Sequence, residues 1–126
     1  MNIVDSSGWL EYFADGPNAH FFSRPLEETA DLVVPTITIY EVFKIVLRQR
    51  GESDALQSAA LMQQGLVVDL TPEISVLAAR TSVEHHLHMA DSIILATSRL
   101  FGATIWTQDS DFKKVDGVRY VAKKDK

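Results

Sequence analysis

Five short apolar runs punctuate the chain, and the material between them decides what it can fold into. Asn2-Ile3-Val4, Leu32-Val33-Val34-Pro35, Leu66 to Leu70, Ala103 to Trp106 and Gly117 to Val121 are three to five residues long. Their β-branched content and brevity read as strands, and helix-spaced segments separate the first four. Strands that alternate with helices in short units pair in parallel, because a parallel neighbour is reached only through a crossover. The pattern predicts an α/β architecture: an open parallel sheet flanked by helices in three layers, one domain over residues 1–126. No internal repeat, low-complexity segment or linker interrupts it.

The helices announce their ends. One runs from about Ser7 to Ala14 and stops at the turn Asp15-Gly16-Pro17-Asn18. Ala19 to Ala30 carries Phe21, Phe22 and Leu26 at helical spacing, with Pro25 imposing a kink or a division. Thr36 to Arg50 is a long helix with Thr36 or Thr38 as its cap and Gly51 as its stop. Glu52 to Gln64 ends at Gly65, and Thr71-Pro72-Glu73 opens another helix with proline in its first turn. The last helix opens at Ala90-Asp91 and stops at Gly102.

With 126 residues, 46% of them hydrophobic, a genuine core is available. No apolar run approaches the roughly 18 residues of a membrane span, and the N-terminus lacks the pattern of a signal peptide. The absence of cysteine excludes disulfides, thiolate metal sites and cysteine nucleophiles, and fits a reducing cytoplasm, the expected location. A net charge of −5 argues against a general nucleic-acid-binding surface. Even so, Lys113, Lys114, Arg119, Lys123, Lys124 and Lys126 crowd the last fourteen residues. Such a tail either is simply solvated or touches a phosphate backbone.

Acidic residues stand where ligands bind in such sheets. Asp5 follows the first strand, and Asp109 and Asp111 follow the strand ending at Trp106, at the carboxyl ends where open α/β sheets place their ligands. Asp91 lies at a helix start, yet Leu87, Ile94 and Leu95 put it on the core stripe. Glu41 sits between Ile37 and Ile45 within an apolar stripe. Each has a bland alternative: Asp5 and Asp91 as helix caps, Glu41 as a partner of Arg48 or an exposed side chain. Together they would repel one another unless a cation intervened, and oxygen-only ligands select Mg2+ or Mn2+ over zinc. A pair of such ions could generate a hydroxide and stabilise the leaving oxygen of a phosphodiester. His85, His86 and His88 form a second candidate metal cluster, or a polar connection between helices.

The segments N-I-V-D-S-S, T-I-Y-E-V, A-D-S-I-I-L-A-T-S and W-T-Q-D-S-D-F, in this order and spacing, resemble those of the PIN-domain nucleases. The chain is most similar to the small VapC-type toxins of toxin–antitoxin pairs. That resemblance implies a Mg2+- or Mn2+-dependent endoribonuclease acting on RNA, a homodimer, and a cognate antitoxin that inhibits it. It places the family's acids on Asp5, Glu41, Asp91 and Asp109 as catalytic metal ligands, with Ser6, Thr107 and Asp111 in support. An antitoxin would be expected to bring a basic side chain to the carboxylates and to dock near Phe21-Phe22 and Tyr40-Phe43. Two other classes stay open: a receiver-like Mg2+-binding signalling domain using Asp69 as acceptor, and a non-catalytic binding subunit of PIN-like fold.

Overall fold

In the computed structural model of the protein, which describes residues 1–125, five strands and six α-helices follow in the order the sequence leads one to expect. They are β1 (Asn2–Val4), α1 (Ser6–Phe13), α2 (Ala19–Glu27), β2 (Val33–Pro35), α3 (Thr36–Arg50), α4 (Glu52–Met62) and β3 (Leu66–Val68). Then come α5 (Pro72–His85), α6 (Met89–Phe101), β4 (Thr104–Thr107) and β5 (Val118–Tyr120). Lys126, the end of the basic tail, lies outside the described residues.

All strand pairs are parallel. β1 pairs with β4, β4 with β5 and β2 with β3. A parallel bridge between Asn2 and Leu32 sets β2 beside β1, giving the order β3-β2-β1-β4-β5. From β1 the chain steps outward to β2 and β3, then returns across the sheet to β4. Right-handed crossovers turn that reversal into a change of face, and the packing shows it. Val4, Val34 and Trp106 join Trp9, Phe22, Val42, Val46 and Met62 of α1–α4 in one core. Their neighbours Ile3, Val33 and Ile105 join Ile94 and Leu95 of α6 in the other. The sheet is thus the middle of three layers.

Local signals fixed most ends. Thr71 Oγ1 accepts from Ile74 N at 3.2 Å, capping α5 behind Pro72. Gly102, at φ 62°, ends α6 in the left-handed region that glycine tolerates. Three expectations need correction. Neither Thr36 nor Thr38 caps α3: Pro35 holds that position, and the Thr38 hydroxyl donates to the Pro35 carbonyl instead. α6 begins before Asp91, with His88 at the cap. Phe22 is wholly buried and offers nothing to a docking partner, whereas Tyr40 is 59% exposed.

α1 crosses the sheet closely because Gly8 has no side chain. A methyl group there would come within 2.5 Å of Val4 Cγ1 and 2.6 Å of Phe22 Cε1, both core atoms. Alanine favours a helix over glycine by about 1 kcal/mol, but overpacking costs roughly 1–3 kcal/mol. Gly8→Ala is therefore expected to destabilise the fold by up to about 2 kcal/mol. The midpoint of denaturant unfolding measures it, and an unchanged midpoint would mean that the α1–sheet contact is slack.

Candidate active site

The strand order reverses between β1 and β4, and the carboxyl ends of these two strands open onto the crevice where such sheets bind ligands. Asp5 leaves β1 there and serves as N-cap of α1, so its capping role is real. It does not exhaust the carboxylate. Asp5 is 2% exposed; Oδ1 accepts from Gly8 N at 3.1 Å and Ser7 Oγ at 2.7 Å, and Oδ2 from Thr107 Oγ1 at 2.6 Å. Burial pushes its pKa up to about 6 against the pull of these three donors, and Asp109 adds repulsion. Thr107, the last residue of β4, also accepts from Asp109 N at 2.9 Å, so one buried hydroxyl holds both acidic segments.

Glu41 reaches the same crevice from α3. Ser6 donates to its Oε1 at 2.7 Å, a bond from the first residue of α1 across to the neighbouring helix. Arg48, the alternative partner, is not within ion-pair distance. Asp91 comes from the opposite layer, in the first turn of α6. Its pKa is pushed up to about 7, first by burial and then by the charges of Asp109, Asp5, Glu41 and Asp111. Four other acids, Asp109, Asp5, Glu41 and Asp111, thus stand near enough to Asp91 for their charge to be felt there.

Asp91, Asp109 and Asp111 converge furthest, each offering a carboxylate oxygen within 4.8 Å of the others. Asp111, expected only as a helper, is thereby a full member, while Asp5 and Glu41 border the group. Asp109 Oδ1 also accepts from Asp111 N at 2.9 Å, which folds the loop back on itself. Among the described residues no lysine or arginine lies within 4.0 Å of any carboxylate; the one pairing is His85 with Glu84 at 3.6 Å. A cluster of oxygens with no cationic partner suits a hard divalent ion, whose oxygen ligands sit about 2.0–2.6 Å from the metal.

The family model of the PIN domain matches residues 3–118. The chain belongs to the PIN-domain family. No curated protein matches its sequence, but solved structures share the PIN fold closely. A toxin–antitoxin complex from Klebsiella pneumoniae superposes with a TM-score of 0.79 at 19% identity, covering 94% of this chain and 96% of that one. VapC20 of Mycobacterium tuberculosis, described as a sarcin-ricin loop cleaving toxin, gives 0.78 at 19% identity over 94% and 97%. DNA-bound VapBC from Salmonella typhimurium gives 0.73 at 13% identity over 97% and 98%.

Other residues of this PIN domain stand apart from the acidic group. Asp69 is exposed at the end of the edge strand β3, outside the acidic group, which leaves a receiver-like phosphoacceptor without a pocket. His85 ends α5 with Nε2 3.0 Å from the Arg99 guanidinium, and His86 takes a left-handed turn at φ 56°. The three histidines form the helix connection, and none joins the acidic group. Two features escaped the sequence. Ser7, and not only its neighbour Ser6, holds a carboxylate. Asn18, 3% exposed, and Gln108, also buried, bond to each other at 2.9 Å beside the site.

Proposed function

We propose that this PIN domain is a divalent-cation-dependent endoribonuclease and the toxin of a toxin–antitoxin pair, working in the cytoplasm as a homodimer. The observation that carries the reading is the convergence of Asp91, Asp109 and Asp111, bordered by Asp5 and Glu41, without a basic partner among the described residues. Its place at the sheet's switch point and the described activity of the M. tuberculosis neighbour support the substrate class. The K. pneumoniae and S. typhimurium complexes support an antitoxin partner.

Asp91 and Asp109 would hold Mg2+ or Mn2+ with Asp111, and Asp5 and Glu41 would reach it directly or through water. Bound there, the cation would acidify a coordinated water, easing its deprotonation, and would offset charge on the leaving oxygen of the phosphodiester. The chain's own part is preorganisation. Ser7, Gly8 and Thr107 fix Asp5 in one orientation and leave a lone pair on Oδ2 free to face the site. Ser6 does the same for Glu41. These hydroxyls are supporting groups, set before substrate arrives. An antitoxin would meet the carboxylates with a lysine or arginine, whose charge-assisted hydrogen bonds replace the cation.

The test is direct. Purified protein incubated with total cellular RNA should create new chain ends with Mg2+ or Mn2+ and none with EDTA, as end mapping would show. A folded protein that leaves RNA intact with both ions would remove the nuclease reading and favour a binding subunit.

A further inference from the structure

We infer that residues 121–123 form a substrate clamp, in which Lys123 binds a phosphate of the RNA strand beside Asp109 and Asn18 is the positioning residue that holds it there. The inference rests on the nuclease reading above. After β5 the chain continues alongside the end of β4, where Val121 N donates to Thr107 O at 3.0 Å. Asn18 then ties this strap down. Its Nδ2 donates to Ala122 O at 3.0 Å and to Gln108 Oε1 at 2.9 Å. Gln108 in turn bonds Ser7, through N to Oγ at 3.3 Å and through Nε2 to the carbonyl at 3.4 Å. Ser7 is the residue whose hydroxyl holds Asp5. The strap and the carboxylate are therefore anchored to the same buried network.

A buried amide is costly unless both its N–H groups find acceptors, and here both acceptors belong to the strap and the site loop. The residue this network delivers is Lys123. It lines two clefts that meet at Ser7 and Gln108: one of about 450 Å³ that includes Asp109 and Tyr120, and one of about 540 Å³ between α1, α3 and α4. Among the described residues it is the one cation lining the Asp109 cleft, and no carboxylate within 4.0 Å neutralises it. A polyanion approaching a cluster of acids in a chain of net charge −5 needs such a group. A lysine ammonium, a compact point charge on a flexible stem, suits a phosphate whose orientation changes through the reaction.

The test uses the full chain carrying Asp91→Asn, so that RNA stays whole, and a fluorescein-labelled short single-stranded RNA read by anisotropy over a range of salt. Adding Lys123→Gln should weaken binding about tenfold and lower the salt slope by about 0.7, the value for one phosphate on a single strand. Lys123→Arg should restore most of both. In the cleaving protein, Lys123→Gln should raise KM more than it lowers kcat. Asn18→Ala should reproduce the binding loss, and the double variant should bind no worse than Lys123→Gln alone. Unchanged affinity and slope in Lys123→Gln, in a protein whose parent cuts RNA, overturns the clamp and leaves the nuclease reading standing. Additive losses in the double variant overturn the part given to Asn18. A parent that neither binds nor cuts RNA overturns both readings. Should Asn18→Ala fail to fold, the lysine variants decide alone.

Discussion

Replacing Asp91 with asparagine should lower RNA cleavage by about a thousandfold or more, roughly 4 kcal/mol in the barrier. The substitution is nearly isosteric, and Asp91 takes no part in capping α6, which leaves His88 at the cap. What changes is charge at the point on which Asp109, Asp5, Glu41 and Asp111 converge. Losing one anionic ligand weakens the hold on a divalent ion and the activation of the attacking water. Fold and charge can be separated in one experiment. In the metal-free protein the same substitution relieves repulsion, so the EDTA melting temperature should hold or rise. Single-turnover cleavage of a defined RNA measures the rate, and a loss smaller than about threefold, roughly 0.65 kcal/mol, removes Asp91 from the ligand set.

The second large effect is thermal. Asp5 and Asp91 both have folded pKa values, about 6 and about 7, above the ordinary 3.8. Between those values the folded protein binds more protons than the unfolded chain, so stability falls as pH rises through the window. Without metal, the melting temperature of the parent should decline from about pH 4 towards pH 7, and more steeply than that of Asp91→Asn. A divalent cation should reverse the sign of the problem, because it would bind the deprotonated set. At a hundredfold excess over its dissociation constant it contributes about 2.7 kcal/mol, on the order of 10 °C for a chain of this size. That gain should be larger at pH 7.5 than at pH 5.5, where protons compete, and Asp109→Asn should lose most of it. A parent whose melting temperature ignores millimolar Mg2+ and Mn2+ would remove the cation from this site and leave Asp5 with its role as cap of α1.

The residues that made the fold legible are those whose effects are local. Gly51 ends α3 at the bounds the sequence implied, Thr36–Arg50, although Pro35 and not a threonine holds its N-cap, and Thr71-Pro72 opened α5. Strand alternation carried the parallel sheet, and with it the meeting of Asp5 and Asp109. The strands themselves came out shorter at β3, which releases Asp69 to solvent. What stayed illegible depends on contacts between residues far apart in the chain. Asn18 lies 90 residues from Gln108 and 104 from Ala122, and no pattern in a polar turn distinguishes a buried clamp from an exposed loop. The Ser6-Ser7 pair shows the same limit at short range: α1 rotates one hydroxyl towards Glu41 and the other towards Asp5, and only the helix's placement on the sheet decides which.

The reversal of strand order has a consequence in time as well as space. β1 is made first, yet the partner that completes its acidic edge, β4, is made after α6, and the Thr107 hydroxyl bonds a carboxylate 102 residues earlier. A growing chain that has not yet produced Thr104–Thr107 holds Asp5 and Glu41 beside neighbouring helices with nothing to join them to Asp109. The acidic centre is therefore silent through most of translation and closes as a late event, when a non-local strand slots in beside the first. Under the proposed nuclease activity, such late closure would keep the nascent chain from cutting RNA while it is being made.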